Sequence, residues 1–326
     1  MEGVMVSADS RIPIVIDTDP GVDDCIAILL ANSIEEFDLR AITAVSGNVD
    51  VRWTLRNALF LKERYGLDCV VAKGAEKPLG GRAPHDAGAV HGKEGVGAYR
   101  VPEVSCKPDS DRAWDVIYRE AVRAGGRLRL IAIGPLTDIA IALEKHPDLP
   151  QLVDRLCIMG GGRFGNVPES GNIAEFNIYA DPQAAARVFE AFDVHMAGLD
   201  VCFKAEFGEA ELDDLISLCD DDFLESLFRH MRDAWIENGL AVNIPYDSVG
   251  ILQACSDPIV SYRKSCADVI ADEASPEDGR TVLMPYREGR NVVFEGTEID
   301  KPRLMAMLKK AISKANKAVE AGRGVL

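Results

Sequence analysis

Short runs rich in Val, Ile and Leu alternate with longer amphipathic segments from Ile12 to Phe192, and few folds accommodate that order. Strands that are apolar on both faces are covered on both sides, which is the condition of a parallel sheet between helices. The pattern predicts strands at 12–17, 39–45, 69–72, 128–133, 156–159 and 194–197. It predicts helices at 23–31, 51–65, 113–124, 136–146 and 182–192. From about Glu209 the chain turns helical, passes through strand-like pieces at 281–285 and 291–294, and ends in a helix over 303–320. The expected class is α/β: an open, mostly parallel central sheet flanked by helices, with a helical C-terminal part. No repeat, low-complexity linker or break in pattern divides the chain, so residues 1–326 read as a single domain.

Charge narrows the partners. The 326 residues carry 53 Asp and Glu against 36 Lys and Arg, a formal net charge of −17, which repels nucleic acid and anionic membrane surfaces and suits a neutral small molecule. The eight cysteines are scattered without a Cys-x-x-Cys pair, several inside apolar runs. They read as reduced core thiols of a cytoplasmic protein. Residues 1–11 show no basic region followed by an apolar one, and no later stretch approaches bilayer length, so neither export nor membrane insertion is expected.

The most informative segment is Ile14-Val15-Ile16-Asp17-Thr18-Asp19-Pro20-Gly21-Val22-Asp23-Asp24. An apolar strand runs into a Pro-Gly turn and then a helix start. Strand alternation puts Asp17 and Asp19 on one side, and the turn brings back Asp23 and Asp24 on the first helical turn, so all four carboxylates are expected to converge. Converging like charges call for raised pKa values or a cation, and oxygen-only ligands favour calcium or magnesium. The plainer reading has Asp23 and Asp24 serving the helix N-terminus while Asp17 caps a turn. Two long Gly- and Pro-rich stretches, 74–97 and 160–174, follow predicted strands and can reach the carboxyl edge of the sheet, where open α/β sheets bind ligands.

The run Asp17-Thr18-Asp19-Pro20-Gly21-Val22-Asp23-Asp24 resembles the signature of the inosine-uridine nucleoside hydrolase family. The likeness continues in order through Ser46-Gly47-Asn48, Val90-His91-Gly92, Gly134-Pro135-Leu136-Thr137-Asp138, Met159-Gly160-Gly161-Gly162 with Ala174-Glu175-Phe176-Asn177, and Asp247 with its flanks.

The resemblance implies a calcium-dependent N-ribohydrolase that splits ribonucleosides into ribose and free base through an oxocarbenium-like transition state. Its calcium, which binds a water and the ribose 2′- and 3′-hydroxyls, would be held by Asp19, Asp24, the main-chain carbonyl of Ile133 and Asp247. Asp19 would also be the general base toward that water. Asp23, Asn48, Glu175, Phe176 and Asn177 would hold the ribonucleoside, Asn177 close enough to the chemistry to count as catalytic, with Asn166, or Asn172 in its place, as a further ribose contact. His91 would lie near the base or the 5′ side. A cytoplasmic homo-oligomer, dimer or tetramer, acting in nucleoside salvage completes the expectation. For Asp247 the alternative is an N-cap of a helix over 248–254.

One residue departs from the family pattern. Many members that take both purines and pyrimidines carry a His just before the last metal-binding aspartate; this chain has Tyr246. Tyr246 could stack on the base, donate a proton or fill the core, and with an ordinary pKa near 10 it is a poorer acid than His. Two other readings compete: a haloacid-dehalogenase-type phosphatase, which also begins with Asp-x-Asp at a strand end, and a nucleoside-binding protein without hydrolysis.

Overall fold

The computed structural model describes residues 11–323; the reading of residues 1–11 as free of an export signal lies, apart from Arg11, outside the described residues. The first half of the chain alternates as expected: β1 (Ile12–Thr18), α1 (Val22–Ser33), β2 (Phe37–Ala44), α2 (Val51–Tyr65) and β3 (Val70–Lys73), then α3 (Gly88–His91), α4 (Ala113–Ala124), β4 (Leu128–Ala132), α5 (Thr137–Lys145), α6 (Leu149–Leu152) and β5 (Val153–Met159). It continues through α7 (Phe176–Ala180), α8 (Pro182–Ala191), β6 (Val194–Ala197), α9 (Leu199–Cys202), α10 (Glu209–Ser217), α11 (Asp222–Asn238) and α12 (Tyr246–Leu252). The chain closes with β7 (Val260–Val269), β8 (Thr281–Pro285), β9 (Val293–Ile299) and α13 (Lys301–Arg323).

Among the described residues the strands form one sheet in the order β3-β2-β1-β4-β5-β6-β9-β7-β8. From β3 to β9 all pairs are parallel, and β7 runs antiparallel to both β9 and β8. The ten-residue β7 has no counterpart in the sequence reading. Its solvent-side residues and the charged pair Arg263-Lys264 break the apolar run that identified the other strands, and its register shifts at Ser261/Tyr262.

Alternation along the strands builds two cores. Ile14 and Ile16 of β1, Ile131 of β4 and Cys157 and Met159 of β5 face α1, α2, α11, α12 and α13. Val15, Leu128, Leu130, Ala132, Leu156 and Ile158 face α4, α5 and α8. A parallel strand buried on both faces has to be apolar at successive positions, which is why these runs were legible. Local signals fix the ends: Asp50 caps α2 by accepting from Arg52 N at 2.9 Å, Gly66 ends it with φ 61°, and Asp181 accepts from Ala184 N at 3.0 Å ahead of Pro182. No helix among the described residues is long and apolar enough to cross a membrane.

Candidate active site

The chain leaves β1 toward β2 and β3 on one side and returns to place β4 on the other, so the topological switch point falls at the carboxyl end of β1. A cavity of about 430 Å³ opens there, within the range of small-molecule sites. Both long loops reach it: His85 to His91 from the first, and Asn166 to Glu169 from the second.

Beneath the cavity the end of β1 and the start of α1 bring carboxylates together. Oxygens of Asp23, Asp24 and Asp247 lie within 4.8 Å of one another, a grouping able to hold a metal ion. Asp24 Oδ1 accepts from Thr18 Oγ1 at 2.6 Å, and its Oδ2 accepts from Gly21 N and Asn48 Nδ2, both at 2.9 Å. Asp19 is fully buried beside this group: Oδ2 accepts from Asn48 N at 2.6 Å, while Oδ1 has no hydrogen-bond partner. Glycines make room for it. A Cβ on Gly47 would fall 2.1 Å from Asp19 Oδ2 and one on Gly134 2.6 Å from Oδ1, so the Ser46-Gly47-Asn48 and Gly134-Pro135 turns close on the carboxylate only without side chains.

Electrostatics follow from that crowding. Burial, then the neighbouring Asp24, pushes the Asp19 carboxyl well above the usual range; burial, then Asp23, does the same to Asp247. Burial raises Asp23 to about 6, and burial with Asp23 raises Asp24. These groups ionise together only if positive charge is brought to them, and an all-oxygen donor set suits a hard divalent cation.

Asp17 does not join them, contrary to the expectation of four converging carboxylates. It lies within β1, where alternation sends it with Val15 toward α5; there its Oδ1 accepts from Thr43 Oγ1 at 2.5 Å and Asp138 adjoins it. Asp19 lies beyond Thr18, the end of the strand, so the pleat no longer governs its direction. Asp247 is likewise not an N-cap: α12 begins at Tyr246 after Pro245, and Asp247 lies in its first turn.

The other residues singled out in the sequence distribute as follows. Asp23, Asn48, His91, Ile133, Asn166, Glu175, Phe176, Asn177, Tyr246 and Asp247 all line the cavity. Asn177 Nδ2 donates at 3.1 Å to the carbonyls of both Ile133 and Met159, joining the ends of β4 and β5. Glu175 caps α7, accepting from Gly161 N and Asn177 N at 3.0 Å and from Ile178 N at 3.1 Å; burial raises its carboxyl to about 7. Asn166 Oδ1 accepts from Phe176 N at 3.0 Å, whereas Asn172 stands in a turn with φ 59° and is not among the lining residues. His91 Nδ1 accepts from Val22 N at 3.2 Å and lies 3.8 Å from Asp23; burial lowers its pKa to about 4, so the ring is neutral. The Tyr246 hydroxyl donates to the Ala241 carbonyl at 3.0 Å, and burial raises its pKa. Outside the segments anticipated from the sequence, the lining residues are Phe203, His230 and Met231, with Leu240, Ala241, Val242 and Ile244 from the stretch after α11. None stands in a motif; only folding brings them to the rim.

A family model for the inosine-uridine preferring nucleoside hydrolases matches residues 14–306. The non-specific ribonucleoside hydrolase RihC of Escherichia coli is 42% identical over 237 residues, covering 72% of this chain and 76% of that protein. Among solved structures, a purine-preferring ribonucleoside hydrolase from Gardnerella vaginalis superposes with a TM-score of 0.84 at 26% identity, covering 94% of this chain and 99% of the other. A plant nucleoside hydrolase, the PpNRh1 enzyme, gives 0.82 at 27%, covering 93% and 99%. The fold and the acidic site therefore define a ribonucleoside N-ribohydrolase. The chain belongs to the inosine-uridine preferring nucleoside hydrolase family, and the phosphatase and non-hydrolytic readings fall away.

Proposed function

We propose that this enzyme hydrolyses the N-glycosidic bond of ribonucleosides in a calcium-dependent reaction with Asp19 as general base. The observation that carries the reading is the unpartnered, fully buried Asp19 Oδ1 beside the Asp23, Asp24 and Asp247 group, under a cavity of nucleoside size. Calcium would be held by Asp19, Asp24, the Ile133 carbonyl and Asp247, and the position of Asp23 within the acidic group makes it a further contributor. When bound, the cation offsets the carboxylates' mutual repulsion and makes a water easier to deprotonate.

The protein's own groups do the rest. The Asn48 backbone N–H holds one Asp19 oxygen, so the other keeps a lone pair for the water's proton. Asp23, Asn48, Glu175 and Asn177, with Asn166, hold the ribose, and Asn177 also fixes the Ile133 carbonyl. Phe176 and His91 bound the ribose and base. Tyr246 contributes its ring as a wall, since its hydroxyl proton is committed to Ala241. The chain acts as one catalytic domain over residues 1–326, and its setting is a cytoplasmic homo-oligomer, dimer or tetramer, in nucleoside salvage.

The test is release of free base and reducing sugar from inosine, adenosine, guanosine, uridine and cytidine, with calcium and after chelation. Turnover of at least one nucleoside that chelation abolishes and calcium restores is expected. Turnover indifferent to chelation would overturn the metal assignment.

A further inference from the structure

We propose that His85 is the general acid that protonates the departing base, a role that rests on the ribohydrolase reading above. Cleavage leaves an electron pair on the base nitrogen, and a purine accommodates it by taking a proton at N7. The family's usual donor position is occupied here by Tyr246, whose hydroxyl is turned to the Ala241 carbonyl at 3.0 Å. Three imidazoles line the cavity. Two are already committed. His91 accepts the Val22 N–H on Nδ1 at 3.2 Å, which leaves its only proton on Nε2, and losing that proton would make an imidazolate. His230 Nε2 lies 2.8 Å from the Val90 carbonyl and must carry a proton there, while its Nδ1 faces Gly97, where a Cβ would stand 2.9 Å away.

His85 differs from both. Neither of its nitrogens has a hydrogen-bond partner among the described residues, and it is half-buried, so it can reload from solvent. Its ring is nonetheless placed: it lies 5.6 Å from the Phe176 ring and 5.3 Å, edge-on at 87°, from Tyr179. Phe176 sits between Glu175 and Asn177, the proposed ribose contacts. The segment is tied down on both sides of His85, by Ala87 N donating to the Asn48 carbonyl at 2.9 Å and by Arg82 Nη1 on Asp278 at 2.5 Å. Asp86 on its own segment and Glu169 line the same cavity, and Arg82 lies over the ring of Tyr179, the neighbour His85 meets edge-on, at 4.8 Å.

In the step, the C1′–N9 bond breaks and its electron pair passes to the base, while N7 takes the proton of the His85 imidazolium. The water oxygen bonds to C1′ and its proton goes to Asp19. Neutral His85 then regains a proton from solvent, and Asp19 releases to solvent the one it took, which returns both groups to their starting state.

The experiment compares wild type and His85→Gln, both with calcium, on inosine and on p-nitrophenyl riboside, whose leaving group needs no proton. Wild-type cleavage of p-nitrophenyl riboside establishes the ribohydrolase reading by itself. His85→Gln is then expected to lose about 100-fold or more on inosine but less than about threefold on p-nitrophenyl riboside. His85→Ala should regain inosine turnover with added imidazole. Equal losses on both substrates, or no loss on inosine, would overturn the assignment.

Discussion

Replacing Asp247 with Asn should change the sign of its effect on stability according to whether calcium is bound. Oxygens of Asp247, Asp23 and Asp24 lie within 4.8 Å of one another, and two unit charges at such a separation repel by about 3.5 kcal/mol at an effective dielectric of about 20. Two such neighbours place about 7 kcal/mol on an ionised Asp247. Proton uptake limits the penalty, since protonating a carboxyl of ordinary pKa at pH 8 costs about 5–6 kcal/mol. The folded pKa values in this group are raised. The chelated protein is therefore most stable below the unfolded carboxyl pKa and loses stability as pH rises through the folded values. Asn carries no charge to relieve. In chelator at pH 8, Asp247→Asn should gain about 2–3 kcal/mol, or several degrees in Tm, over wild type. With calcium at about a thousand times the wild-type Kd the wild type gains about 4.1 kcal/mol, whereas a variant that binds about a thousandfold more weakly gains only about 0.4 kcal/mol. The order of melting temperatures should cross between the two buffers, and the gap in chelator should shrink at pH 5.5. Thermal unfolding of both proteins under the four conditions checks this; a variant less stable than wild type in chelator at pH 8 would refute the electrostatic argument.

Three further outcomes follow from particular contacts. Asp19→Ala should lower kcat on any accepted nucleoside by about 1,000-fold or more with an unchanged circular-dichroism spectrum, and a near-normal rate would remove Asp19 from the mechanism. A Cβ on Gly250 would meet Ile133 Cγ2 at 2.8 Å and Met159 Cβ at 3.1 Å, one turn from Asp247. Gly250→Ala should thus cost about 1–3 kcal/mol and weaken calcium binding measured by titration, whereas unchanged affinity would mean that α12 yields without moving the site. His195, stacked on Phe294 at 4.4 Å, has its pKa lowered by burial to about 4. Because the unfolded chain takes up that proton first, near pH 6.5, stability should fall by about 2 kcal/mol as pH drops from 7 toward 4. Urea unfolding should show the loss reduced in His195→Phe; equal losses would assign the acid sensitivity to other groups.

The sheet was readable because parallel strands buried on both faces must be apolar at consecutive positions, and the helices because their caps and amphipathic periods are local. β7 was not, since a strand in the antiparallel part of the sheet needs only half its residues apolar, and Arg263 and Lys264 interrupt even those. Of the site, the sequence by itself determined the chemistry at hand: carboxylates at a strand end, a Pro-Gly turn returning Asp23 and Asp24, and glycines flanking each approach to Asp19. Tertiary structure decided how those groups are shared out. The pleat turned Asp17 away to Thr43 and Asp138, and α12 carried Asp247 across more than 220 residues to complete the acidic group. The hydrogen bonds that occupy Tyr246, His91 and His230, and leave His85 unbonded at the rim, depend on which backbone carbonyls and amides lie opposite each ring, and that is fixed only when the loops pack over the sheet edge.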